Sequence, residues 1–163
     1  MRLSGYRRTM FRPSRNFILI LLLASACSVS AASGKIIKVL PQFIDLKGRT
    51  ALSPSLYDRD AYQIQLRQHP EQRSGIRFHV QWRGRSEIKN LPATIRVELR
   101  GTSKGDLPTE VSLESAVRIT QSSHWEELTL DGVAFRQFGE VTAWRVTLWS
   151  GGELLGEQKS FLW

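Results

Sequence analysis

Cysteine is almost missing from these 163 residues: Cys27 is the only one, and it sits near the end of an early apolar run. The chain past that run therefore has neither a disulfide nor thiol chemistry, and its stability must come from a hydrophobic core. Histidine is scarce as well. His69, His79 and His124 show no metal-ligand spacing and have no cysteine beside them, and His79 falls on the polar face of a strand pattern, where a solvated ring is expected. The signatures G-x-S-x-G, G-x-G-x-x-G and G-x-x-x-x-G-K-[ST] are all absent. Asp58-Arg59-Asp60 lacks the spaced oxygen ligands of a calcium loop, and its acids suit a helix start instead. Glu126 and Glu127 are strand neighbours pointing to opposite faces, so they form no carboxylate pair with each other. The expectation is a protein that is not an enzyme, with no catalytic, metal or cofactor residue to name.

Long hydrophobic runs are also lacking. The most apolar stretch, Phe17 to Ala26 (FILILLLASA), is well short of the ~20 residues that span a bilayer. It follows an Arg-rich start and precedes Ser30-Ala31-Ala32, a small-x-small cleavage site. That order reads as a signal peptide over 1–32, with one folded domain over 33–163 and no transmembrane span in the mature chain. Met10 offers an alternative start, and Tyr6 to Arg12 has a twin-arginine look. Ala24-Ser25-Ala26-Cys27 resembles a bacterial lipobox with Ala24 in the place usually held by leucine, so lipidation at Cys27 stands beside cleavage near Ala32 as an alternative. Either route exports the protein to the periplasm, the cell envelope or the medium.

The net charge of +8 invites a nucleic-acid partner. Its location argues against one. Arg2, Arg7, Arg8, Arg12 and Arg15 all precede the apolar run, leaving 18 basic residues against 15 acids in the rest. A nucleic-acid footprint needs basic residues clustered on one face of the domain, and here they alternate with acids.

The remaining chain alternates like a sheet protein. Lys35 to Leu40 reads as a first strand stopped by Pro41. Gly75 to Trp82 puts Ile76, Phe78, Val80 and Trp82 on one face and Arg77, His79 and Gln81 on the other. Ala93 to Arg100 repeats the pattern, and Thr109 to Glu114, Val117 to Ile119 and Trp125 to Leu130 add shorter strands. Between the first two strands lies a different stretch. Tyr62, Ile64 and Leu66 alternate with Gln63, Gln65 and Arg67 as in a strand. Ser55 and Asp58, however, suit a helix start and Pro70 a stop, which favours a short helical insert near 55–69, with Ala61, Ile64 and Gln68 on one face.

Asp131-Gly132 marks a turn, Val133 to Glu140 reads as a crossing segment, and Val141 to Trp163 reads as a terminal hairpin. A three-residue loop, Ser150 to Gly152, would set Leu148 against Leu154, Val146 against Gly156 and Arg145 against Glu157. Trp82, Trp144, Val146 and Leu148 are then core, while Trp149 falls on the outer face. Phe161 and Trp163 share a face two residues apart. Trp149, Phe161 and Trp163 are the candidate contacts for a partner protein or a glycan, with burial beneath the insert as the competing expectation.

About seven strands behind a signal peptide resemble the immunoglobulin-like or fibronectin-III-like sandwiches of bacterial exported proteins. The resemblance spans Lys35 to Trp163 at the level of strand pattern, without the paired cysteines of true immunoglobulin domains. PSLYDRDAYQ and QKSFLW are similar to segments of uncharacterised exported bacterial proteins. The fold expected is all-β, a single antiparallel β-sandwich. The function expected is binding or structural, with a protein partner in the cell envelope; a carbohydrate-binding module using exposed tryptophans is one alternative and an enzyme of unrecognised type another.

Overall fold

The computed structural model describes residues 34–84, 90–103 and 107–163. The expected signal peptide over 1–32, with the expected cleavage site near Ala32 and with Cys27, lies outside the described residues. In chain order the elements are β1 (Gly34–Asp45), α1 (Leu56–Gln68), a 3-10 turn (Pro70–Gln72), β2 (Arg73–Gly84), β3 (Pro92–Thr102), β4 (Pro108–Arg118), β5 (His124–Asp131), α2 (Gly132–Phe138), β6 (Glu140–Ser150) and β7 (Glu153–Lys159). The strands form two antiparallel sheets, β1-β2-β5 and β4-β3-β6-β7. The described residues form a β-sandwich carrying two helices. Among the described residues no helix is long and apolar enough to cross a membrane.

The alternation read from the sequence builds the core. Ile76, Phe78, Val80 and Trp82 of β2 face Ile95, Val97 and Leu99 of β3 and Val146 and Leu148 of β6, all buried. Each such side chain contributes about 1.5–3 kcal/mol relative to exposure. Trp144 packs against this core, with Phe78 set edge-on to its ring at 6.3 Å.

Pro41 does not stop β1, which runs on to Asp45 with Pro41 opposite Phe78. The reason is that β1 is an edge strand. Phe43, two residues on, points its N–H away from β2, to Gln63 Oε1 at 2.8 Å. By the same parity Pro41 lacks a donor only on the side that needs none. Gln63 also donates to Phe43 O at 2.9 Å and Thr50 O at 2.8 Å, so a side chain covers the open edge.

The helical insert forms at the expected place. Ser55 caps it by accepting from Asp58 N, and the Ser53 hydroxyl donates to Asp58 Oδ2 at 2.6 Å. Ala61, Ile64 and Gln68 share a face as expected, and it is the outward one, while Tyr62, Gln63 and Leu66 are buried. Polar anchoring decides this. Tyr62 donates to Asp45 Oδ2 at 2.7 Å, and Asp45 also accepts from Lys47 N, Arg49 N and Arg49 Nε, each at 2.8 Å. Burial alone would raise the Asp45 pKa, but the Arg49 backbone, Tyr62 hydroxyl, Arg49 guanidinium and Lys47 backbone donors together hold it well below the usual carboxylate range. At the other end of α1, Arg73 donates to the carbonyls of Leu66 and Arg67, pairs with Glu140 and lies over the Phe43 ring.

Three further expectations are corrected. Thr109 to Glu114 and Val117 belong to one strand, β4, which runs unbroken from Pro108 to Arg118 opposite β3. Val133 to Glu140 is not a plain crossing, because Gly132–Phe138 folds as α2 and buries Phe135 and Phe138. The hairpin turns on two residues rather than three. Gly151 and Gly152 take φ of 55° and 86°, Ser150 pairs with Glu153, and Trp149 pairs with Leu154. Two left-handed residues match the twist of the flanking strands. A bulge at Leu155 then restores the phase, setting Leu148 against Gly156 and Arg145 against Lys159 and turning Leu155 into the core.

Candidate functional site

The outward face of β1-β2-β5 follows from register. Lys38, Gln81 and Trp125 form one row, Leu40, His79 and Glu127 the next, and Gln42, Arg77 and Thr129 a third. Side chains on these rows point away from the core because their neighbours Val39, Val80 and Leu128 point into it. Helix α1 lies beside this face and sends Arg59 toward it. Leu40, Gln42, Arg59, His79, Trp125 and Glu127 enclose an open recess of about 310 Å³.

Charge and hydrogen bonding within it are uneven. Glu127 is engaged, with Oε1 3.3 Å from His79 Nδ1 and Oε2 3.6 Å from Arg77 Nη1, while Arg77 Nε donates to Thr129 Oγ1 at 3.2 Å. His79 Nε2 and Arg59 Nε are both buried and have no partner among the described residues. Such atoms cost about 1–3 kcal/mol each when left unsatisfied, and two in one recess mark it. Burial lowers the His79 pKa; Glu127 opposes the shift, and the charges of Arg77 and Arg59 add to it. The ring is therefore neutral at pH 7. A neutral imidazole beside a carboxylate keeps its proton on the facing nitrogen, Nδ1, which leaves Nε2 an acceptor. Trp125 completes the recess with an indole 49% exposed.

The expected contacts lie elsewhere and do not converge. Trp149 and Trp163 are on the outer face of the four-stranded sheet. Trp163 is folded back over it, with the guanidiniums of Arg100 and Arg145 4.2 Å and 4.8 Å from its ring centroid. Ser160 fixes that return by donating its backbone N–H to Trp144 O and accepting from Trp144 N at its Oγ. Trp149 stands four residues along β6 from Arg145, or roughly 13 Å, with Arg96 6.0 Å from its ring and Nε1 buried without a partner. It lines a second recess of about 500 Å³ beside Gly151 and Gly152 that gathers no titratable cluster. Phe161 is fully exposed.

The other singled-out residues take ordinary partners. His69 faces Glu71 at 3.2 Å, His124 faces Ser122 Oγ at 2.8 Å, and Glu126 accepts from Ser115 Oγ at 2.6 Å, on the opposite face from Glu127. His79 is on the outward face as expected, although half-buried rather than solvated. Among the described residues no three His, Cys, Asp or Glu side chains are grouped to hold a metal ion. Trp125 and Arg59 are the residues that sequence reasoning missed. A signal for Trp125 was present: with Leu128 and Leu130 inward, alternation puts Trp125 and Glu127 outward together.

No family model matches the chain, and no curated protein matches it in sequence. A solved structure from Akkermansia muciniphila is similar, with a TM-score of 0.49 and 8% identity over 78% of this chain and 68% of that one.

Proposed function

We propose that this chain is an exported, non-catalytic binding domain of the bacterial cell envelope, of immunoglobulin-like or fibronectin-III-like topology, that engages a protein partner through the outward face of α1. The three-plus-four strand order, with β1, β2 and β5 in one sheet and β3, β4, β6 and β7 in the other so that the chain crosses between sheets after β2, β4 and β5, supports the topology. The Arg-rich start and apolar run support export. One observation carries the partner surface: Leu52, Leu56, Tyr57 and Ile64 are 60%, 66%, 82% and 51% exposed within a single insert. Tyr57, Ala61 and Ile64 repeat at helical spacing on the side opposite Tyr62 and Leu66. Apolar groups gathered in this way favour a protein interface, and tyrosine is a preferred anchor there.

The test is crosslinking capture from envelope fractions, comparing the parent protein with Ile64→Glu combined with Tyr57→Ala. Capture of one discrete partner, abolished in the double variant at unchanged thermal stability, is the expected result. Equal capture by both proteins, or none above background, contradicts it. The glycan reading keeps support from a different place, the half-exposed Trp125 beside two unsatisfied polar atoms.

A further inference from the structure

We propose that the recess between α1 and the outer face of β1-β2-β5 is a pyranose-binding subsite, in which Trp125 stacks on the sugar ring and neighbouring hydroxyls bridge Arg59 and His79. This goes beyond the partner surface on α1, because Arg59 lies on the opposite side of that helix from Tyr57 and Ile64.

The ligand class follows from what the recess leaves unsatisfied. Arg59 Nε is a donor and His79 Nε2 an acceptor, and both are buried without partners. A hydroxyl can accept from the first and donate to the second. An anion could accept from Arg59, but it would set its lone pairs against Nε2 beside the carboxylate of Glu127. A purely apolar ligand would leave both polar atoms unpaired. Trp125, half exposed, presents a flat apolar face suited to the C–H face of a sugar ring, and Leu40 extends the apolar wall. The volume of about 310 Å³ is at the small end of ligand sites, roughly 300–1,000 Å³, and suits one or two rings rather than a long groove. Arg59 also supplies the means of entry. Its guanidinium has no ion pair or hydrogen bond among the described residues and its side chain is partly exposed, so swinging it aside breaks nothing.

The pH dependence has a definite sign. Glu127, Arg77 and Arg59 are the charged groups facing His79. Protonation of the ring turns Nε2 from acceptor to donor. Because burial lowers the folded ring's pKa, affinity holds from neutral pH past the unperturbed value of about 6.5 and falls only as the pH drops through the lowered folded value.

Isothermal titration calorimetry of the purified protein against cello-, xylo-, manno- and chito-oligosaccharides, with an oligogalacturonate as the acidic arm, tests the assignment. Saturable binding to at least one neutral oligosaccharide is expected. Trp125→Ala and His79→Phe should each weaken it about ten-fold or more without lowering the thermal midpoint, and the loss at acid pH should vanish in His79→Phe. Silence across the panel overturns the proposal. So does binding that survives Trp125→Ala, or binding confined to the oligogalacturonate and abolished by salt, since charge alone would then explain it. Failure here is separable from failure of the partner surface, because Ile64→Glu should leave the sugar titration intact and Trp125→Ala should leave partner capture intact.

Discussion

The two outer faces of this sandwich carry similar residues and use them differently. On the four-stranded sheet nearly every charge meets its opposite: Arg96 with Glu114 at 2.6 Å, Arg100 with Glu110 at 3.0 Å, and Arg145 with Glu98 at 2.7 Å. Trp163 closes over two of these arginines. Among the described residues on the three-stranded face only Glu127 is an acid shared between neighbours, while Arg59 and His79 Nε2 are left over and Trp125 stands half open. Thr147 Oγ1 and Trp149 Nε1 are also buried without partners on the four-stranded sheet, but neither is titratable, and the charged groups around them are paired with one another. Unsatisfied groups persist where stability is traded for binding. The contrast in charge pairing supports the proposal that recognition belongs to the three-stranded face.

Substitutions can break or sharpen this contrast. The largest effect should come from Asp45→Ala, which strands the Lys47 and Arg49 amides and the Tyr62 hydroxyl and loosens α1, the wall of the recess. A loss of about 3 kcal/mol is expected in chemical denaturation. The same carboxylate sets an acid limit. Its folded pKa lies below the ~3.9 of the unfolded chain, so its contribution is complete above that pH and is lost as the pH falls below it. Next in size is Trp163→Ala, which uncovers Arg100 and Arg145. The expected cost is about 1 kcal/mol, with no effect on sugar binding, and a titration weakened by this variant would mean that the wrong face has been chosen.

Smaller again is Arg96→Ala, which removes one exposed ion pair for less than about 1 kcal/mol and loses most of that difference in molar salt. Arg59→Met keeps the aliphatic stem and removes the unsatisfied head. Stability should be unchanged or rise by about 0.5 kcal/mol. A clear loss in this variant would show that Arg59 is structural and would erase the distinction between the faces. His79 gives the matching pH signature. An unfolded imidazole takes its proton near 6.5, the folded one only at lower pH, so stability falls as pH drops through 6.5 and levels once the folded ring also protonates. His79→Phe should remove that step.

Much of the frame is readable without coordinates. Strict alternation over Gly75 to Trp82 and Ala93 to Arg100 identifies β2 and β3 and their inner faces, because a period of two has one physical meaning on a half-buried sheet. Ser55, Asp58 and Pro70 mark α1 through capping and chain stiffness, which are local effects. Where the outcome depends on a distant partner, the sequence is silent. The buried side of α1 is chosen by Asp45 and by the open backbone of Phe43, neither of which shows in the helix pattern. Pro41 is tolerated because its strand is an edge, a property of topology. The bulge at Leu155 exchanges one pairing for another at no visible cost in composition. The site falls between these cases. The phase of Trp125 is legible from Leu128 and Leu130, but nothing in the order of residues brings Arg59 across from the helix to His79.

The most direct measurement uses the five indole N–H resonances, one per tryptophan, in a nitrogen-proton correlation spectrum, assigned by single Trp→Phe variants and followed through an oligosaccharide titration. The account expects the Trp125 signal to move saturably while those of Trp149 and Trp163 hold still. Movement of Trp149 or Trp163 with Trp125 unchanged would contradict it, and so would five unmoved signals across the whole panel.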